Sequence, residues 1–192
     1  HHPEEQLVNM GSTAQRTAIV LVTSLFFLWA LAHNLNPVLI PHLRKALQLN
    51  DLRSALVDSA FFIAYFVMAL PAGAFMKRFG YRMGIVGGLL LFATGCFLFW
   101  PAATLRSYPF FLGALFIIAS GLTFLETAAN PYVSVLGDPA TAPRRLNFAQ
   151  AFNGLGAALA AGLGGRFILS GQTLSTDQQA TMDPAALEAY LT

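Results

Sequence analysis

Long stretches of this chain carry no charge. Thr17 to Leu43, Met83 to Leu105 and Leu146 to Gly165 contain no Asp, Glu, Lys or Arg. Ser107 to Gly137 is interrupted only by Glu126, and Ser54 to Met76 only by Asp58. A helix rises about 1.5 Å per residue, so roughly 20 apolar residues cross the hydrocarbon core of a bilayer. Each run is long enough. The first exceeds the apolar part of a signal peptide, about 7–15 residues, and the runs are continuous rather than alternating, unlike barrel strands. Only 10% of the residues are charged, against about 25% in soluble domains, which leaves too little charge to solvate a globular surface. Aromatics at 12% exclude a disordered chain. One cysteine, Cys96, gives no disulfide framework, and a net charge of +2 points to no nucleic-acid partner. The pattern predicts an all-α membrane protein in a lipid bilayer, with helices at about 17–43, 52–76, 83–101, 108–136 and 147–169.

The connections are short, as between antiparallel neighbours. Lys77, Arg78, Gly80, Tyr81 and Arg82 form a tight basic turn between the second and third helices. Residues 1–16 read as an N-terminal tail, with 1–9 an expression-tag remnant, and 17–170 as the five-helix bundle. Residues 171–192 read as a polar loop before a missing sixth helix, with a short helix after Asp183-Pro184. The chain thus reads as truncated after five spans. Counting Lys and Arg at the span ends gives six on the side of the N-terminus and five on the other, which leaves orientation open.

No His-Glu-x-x-His, Gly-x-Ser-x-Gly or phosphate-cradling loop occurs, so no enzyme site is visible. His33 and His42 read as polar helix residues rather than metal ligands. What stands out is polarity inside the spans. Glu126 and Asp58 each cost about 2.5–3.5 kcal/mol on insertion scales, which points them to a bundle interior or a water-filled cavity. Asn130 lies one turn beyond Glu126 and is followed by Pro131, which removes a helical N–H. Asn147, Gln150 and Asn153 recur every third residue in the fifth span, and Asn34 and Asn36 precede Pro37 in the first. Amides both donate and accept, as sugar hydroxyls do. Beside a carboxylate and the aromatics Trp29 and Tyr65, they suit a polyhydroxylated ligand. Amides bonding between helices are the plainer alternative. Gly84 and Gly88, and the series Ala157, Ala161 and Gly165, read as close-packing stripes.

Several segments together resemble the fucose–galactose–glucose proton symporters of the major facilitator superfamily. They are Ser24-Leu-Phe-Phe-Leu-Trp-Ala30, Asn34-Leu-Asn36, Pro71-Ala-Gly73 and Phe99-Trp-Pro-Ala-Ala103. Leu125-Glu-Thr-Ala-Ala-Asn-Pro131, Val135-Leu-Gly137 and Arg145-Leu-Asn-Phe-Ala-Gln150 with Phe152-Asn153 complete the set. A looser superfamily signature lies at Gly73, Arg78, Gly80 and Arg82. The resemblance implies the N-terminal helical bundle of a twelve-helix transporter, with a midplane site between two halves. It also implies a cytoplasmic N-terminus, a bacterial inner membrane, a proton as coupling ion without another cofactor, and a monosaccharide substrate. Glu126 is then the proton-titrating acid, with Asn34, Gln150 and Asn153 near the sugar, and the C-terminal half is the missing partner. Where the fucose-transporting members carry an aspartate directly after Asn-Leu-Asn, this chain has Pro37. Asp58 shares a helix face with Tyr65 and is the candidate to take over that charge. A solute efflux transporter of the same superfamily and a non-transporting membrane-embedded binding subunit remain alternatives.

Overall fold

The computed structural model describes residues 12–46, 50–105, 107–167, 181–183 and 185–186. Its topology turns on one glycine. Helix α1 (Ser12–Ala46) is followed by α2 (Asp51–Thr104), whose helical geometry is broken at Gly80, with φ 82° and ψ 165°. That region is essentially closed to residues with a Cβ. The break folds α2 into two limbs, 51–79 and 81–104, and Met76 of the first lies against Gly84 of the second. The expected turn is there, but it is narrower than the run of basic residues implied. Lys77 and Arg78 still belong to one helical limb and Arg82 to the next.

Helix α3 (Tyr108–Val135) is the centre of the bundle, and α4 (Ala142–Phe167) follows a short 3-10 turn at Pro139–Thr141. Among the described residues there is no strand. Both limbs of α2 pack on α3. Phe61 and Ala64 of the first limb meet Ala119, Leu122 and Leu125, while Ala72 and Met76 meet Phe124 and Ala128. The second limb approaches backbone to backbone. A Cβ on Gly121 would fall 2.5 Å from Phe92 N and 2.7 Å from Gly88 O. A Cβ on Gly95 would fall 2.5 Å from Ile118 Cγ1. The Gly84/Gly88 stripe therefore packs as expected.

The stripe on α4 does not. Gly165 has nothing within 4 Å of a built Cβ, and Ala161 is exposed. Gly156 makes the close crossing instead, its Cβ position 2.4 Å from Phe27 O of α1, and Ala160 is fully buried. Small residues occupy neighbouring positions all around α4, so only the partner helix selects the buried face.

Three helical segments are long and apolar enough to cross a membrane: Thr13–Leu35, Leu52–Ala102 and Tyr108–Val135. The second is folded at Gly80, which makes four crossings. The expected fifth span is a 26-residue helix, about 39 Å long at 1.5 Å per residue. Asn147, Gln150 and Asn153 together with many Gly and Ala keep it below the apolarity of the other spans. Outward-facing side chains suit lipid: Phe66, Leu70, Phe97 and Trp100 are 84%, 83%, 80% and 79% exposed. Hydroxyls inside the spans bond to the carbonyl four residues back, as Ser24, Thr94, Ser120, Thr123 and Thr127 do. With no water in hydrocarbon, that local bond is the available partner. Of the expected short helix after Asp183-Pro184, Ala185 and Ala186 are described and helical; its continuation and most of the two tails lie outside the described residues.

One arginine fixes how α4 leaves α3. Arg145 donates to Val133 O at 3.2 Å, Ser134 O at 2.9 Å and Asp138 O at 2.9 Å, and also to the Thr141 hydroxyl. The last carbonyls of a helix lack backbone donors and carry its partial negative charge, so a guanidinium fork is well matched to them. Gln15 Nε2 donates to Leu136 O at 3.3 Å and brings the start of α1 to the same end.

Candidate functional site

A cavity of about 230 Å³ opens between α1, α3 and α4, lined by Trp29, Ala30, His33, Asn34, Glu126, Gln150 and Asn153. At about 30 Å³ per water, it holds about seven waters or one small polar solute. Its α1 wall is one helix face, because Trp29, Ala30, His33 and Asn34 are spaced i, i+1, i+4 and i+5. Its α4 wall is Gln150 and Asn153, one turn apart. Arg145 clamps the first turns of α4 onto the end of α3 and so sets the height of these two amides.

The amides are only partly occupied by the protein itself. Asn34 Nδ2 donates to Ala30 O at 2.8 Å, and Asn130 Nδ2 donates to Glu126 O at 3.1 Å. Asn130 Oδ1 in turn accepts from Gln150 Nε2 at 3.1 Å, which links α3 to α4 directly beside the cavity. Pro131 leaves the Thr127 carbonyl without its backbone donor four residues on, so α3 is locally loosened just beyond Glu126. Trp29 Nε1 is buried without a hydrogen-bond partner among the described residues. Its polar neighbour is the Tyr65 hydroxyl, at a geometry short of a hydrogen bond. A half-buried carboxyl and three amides therefore converge on one space, with the Trp29 side chain as part of its wall.

Of the residues singled out in the sequence, Trp29, Asn34, Glu126, Gln150 and Asn153 line this cavity. Asn130 stands behind them through its bond to Gln150. Tyr65 is a step further back and reaches the cavity through His33, whose Nδ1 is 3.2 Å from the Tyr65 hydroxyl. Asn147 is exposed and lies off the lining, because a three-residue spacing drifts around the helix. Asp58 is half-buried and does not line the cavity. It has the face of Tyr65 but the wrong depth: seven residues place it about 10 Å further along the axis. The side chains of Asn36 and Pro37 lie outside the described ones. His33 was missed as a cavity residue, although its i+4 spacing from Trp29 carries that signal. No group of three or more metal-binding side chains occurs among the described residues.

Lipid-facing helices around a polar cavity near the midpoints of α1 and α4 define an integral membrane helical bundle. The chain belongs to the Major Facilitator Superfamily, whose model matches residues 19–174. It is similar to a glucose/galactose transporter of Brucella abortus, 52% identical over 159 residues, covering 83% of this chain and 39% of that protein. It is also similar to the L-fucose-proton symporter of Escherichia coli, 48% identical over 171 residues, covering 88% of this chain and 39% of the symporter. The crystal structure of an Escherichia coli fucose:proton symporter variant matches with a TM-score of 0.79 and 46% identity, over 92% of this chain and 42% of that one. A second crystal structure of that same transporter, in the outward conformation, gives 0.78 and 47%, over 91% of this chain and 42% of that one. The chain thus spans about two fifths of the length of these relatives.

Proposed function

We propose that the chain forms the N-terminal part of a proton-coupled monosaccharide transporter of a bacterial inner membrane, working by alternating access. The observation that carries this reading is the cavity itself, where Glu126 shares about 230 Å³ with Asn34, Gln150, Asn153 and Trp29. Asn34 Oδ1 and the free positions of Gln150 and Asn153 together offer acceptors and donors. A hexose ring with several hydroxyls can use both. Trp29 adds an aromatic wall. The relatives named for glucose, galactose and L-fucose favour the hexose class.

Glu126 is the coupling acid in this proposal. A carboxyl inside a membrane bundle is the default candidate for a proton relay, and its place beside the amides lets the proton and the sugar be felt together. A second helical bundle would supply the opposite wall, and the solute would pass through chemically unchanged. The near-even count of Lys and Arg at the two ends leaves orientation to the family resemblance, which favours a cytoplasmic location for the Gly80 turn and with it the N-terminus. Membrane vesicles carrying the transporter with this sequence provide the test. Labelled glucose, galactose or L-fucose should accumulate under an imposed inward proton gradient and be released by a protonophore. Accumulation indifferent to the gradient, or no uptake of any of them, contradicts the proposal.

A further inference from the structure

The cavity holds a second titratable side chain for which proton loading by Glu126 gives no role. His33 lines it directly, on the same helix face as Trp29 and Asn34. Its ring is held from behind: Nδ1 is 3.2 Å from the Tyr65 hydroxyl, and the rings of Phe61 and Tyr65 meet it edge-on, with centroids 5.4 Å and 5.7 Å away. The two ring nitrogens point in different directions. With Nδ1 turned to α2, Nε2 is the nitrogen left for the cavity. The titratable groups facing this imidazole among the described residues are Tyr65 from α2 and Glu126 from α3. From α4 come the neutral Gln150 and Asn153, and on α2 Asp58 lies two turns from Tyr65 and about one turn from Phe61.

Building on the transport reading above, we propose that His33, oriented by Tyr65, is a second proton-binding site of the cavity and exchanges a proton with Glu126. In the receiving state Nδ1–H donates to the Tyr65 hydroxyl oxygen, which leaves a lone pair on Nε2 facing the cavity. A cavity water takes the proton from the Glu126 carboxyl and passes one of its own to Nε2. Glu126 becomes carboxylate, His33 becomes imidazolium, and the water is restored. The net charge of the cavity is unchanged while the proton has moved from the α3 wall to the α1 wall. Tyr65, whose hydroxyl can either donate or accept, is a positioning residue that keeps Nε2 aimed inward in both states.

Trp29 is a built-in reporter, since an imidazolium one turn away quenches indole emission. The chain has only one other tryptophan, the lipid-facing Trp100. In the full chain carrying Trp100→Phe and reconstituted in lipid, Trp29 emission should fall through one transition as pH drops from 8 to 5, the range in which histidine ordinarily titrates. His33→Gln should remove the transition. Glu126→Gln should shift its midpoint, because a neighbouring charge is gone. Tyr65→Phe should also shift the midpoint, a response that loss of packing alone would not give, and this arm stands even if His33→Gln fails to fold. A transition that persists in His33→Gln, a midpoint unmoved by Tyr65→Phe, or no transition in the parent chain overturns the proposal. None of these measurements needs a sugar or a gradient. Their failure therefore leaves the transport reading standing, and failed uptake leaves the titration result intact.

Discussion

Helix α3 has two faces that solve opposite problems. Toward the second limb of α2 it presents Ala114, Ile118 and Gly121 to Gly88, Phe92 and Gly95, and the backbones touch. Toward α1 and α4 it presents Glu126 and Asn130, and the helices stand apart around a polar cavity. The dry face holds by contact alone, because lipid tails are as apolar as any core and only close packing and dispersion favour helix over lipid. Beyond the cavity, the wet face is joined by a buried cluster in which Val22 and Phe26 of α1 and Ala149 of α4 meet Ala129, Tyr132 and Val133, by the Gln150–Asn130 bond and by the clamp at its end. Small residues thus serve adhesion on one side, while on the other the polar groups are left partly unpaired around the cavity.

The contrast breaks most visibly at Gly121. Gly121→Leu must push α2 and α3 apart, at or beyond the upper end of the about 1–3 kcal/mol typical of overpacking. Gly113→Leu, with nothing within 4 Å of its Cβ position, should stay within about 0.5 kcal/mol. Thermal unfolding in mild detergent separates them, and equal midpoints would show that the helices are not in contact there. Next comes the clamp. Arg145→Met leaves the α3 carbonyls bare, and hydrogen bonds to charged groups contribute about 1.5–3 kcal/mol. Partial exposure places the loss toward the lower figure, and Arg145→Lys should not restore it, since one ammonium cannot span the fork. Faster hydrogen exchange across residues 133–141 is the local readout.

Gly80→Ala introduces a Cβ at φ 82°, and such strain costs about 1–3 kcal/mol. It should lower the unfolding midpoint although nothing crowds the site. The smallest effect on stability belongs to the cavity. Asn153→Ala should barely move the midpoint, yet weaken sugar binding by up to about tenfold, the worth of one hydrogen bond. Binding isotherms on the transporter carrying this sequence check it. A variant that loses stability but not affinity would make Asn153 part of the scaffold.

How far the sequence disclosed this arrangement depends on which interaction decides each feature. The α3 boundaries, expected at 108–136 and found at Tyr108–Val135, were legible because Pro109 and Gly137 are local signals. The turn at Gly80 was legible in position but not in width, since the charges around it remain helical. The membrane-facing character of the chain was written in its uncharged runs. The packing face of α4 was not legible: Gly156 and Ala157 are adjacent and both small, and only the Phe27–Ala30 segment of α1 chooses between them. Asp58 shows the same limit along the axis, because periodicity reports the face of a helix and not its depth against a neighbour. His33 read as bland for the converse reason. A lone histidine in a span has no meaning until Tyr65 and Glu126 arrive beside it from two other helices. The role of Arg145 needed the loop geometry, since its partners are backbone oxygens that no side-chain pattern announces.

In the proposed transporter, Glu126 joins a proton to the solute in the wet face of α3. The most direct measurement is sugar movement in vesicles carrying the transporter with Glu126→Gln, with and without an imposed proton gradient. Accumulation against a concentration gradient should be lost while exchange of labelled for unlabelled sugar continues, because the amides and Trp29 are untouched. Undiminished proton-driven accumulation by the Glu126→Gln transporter would contradict this role.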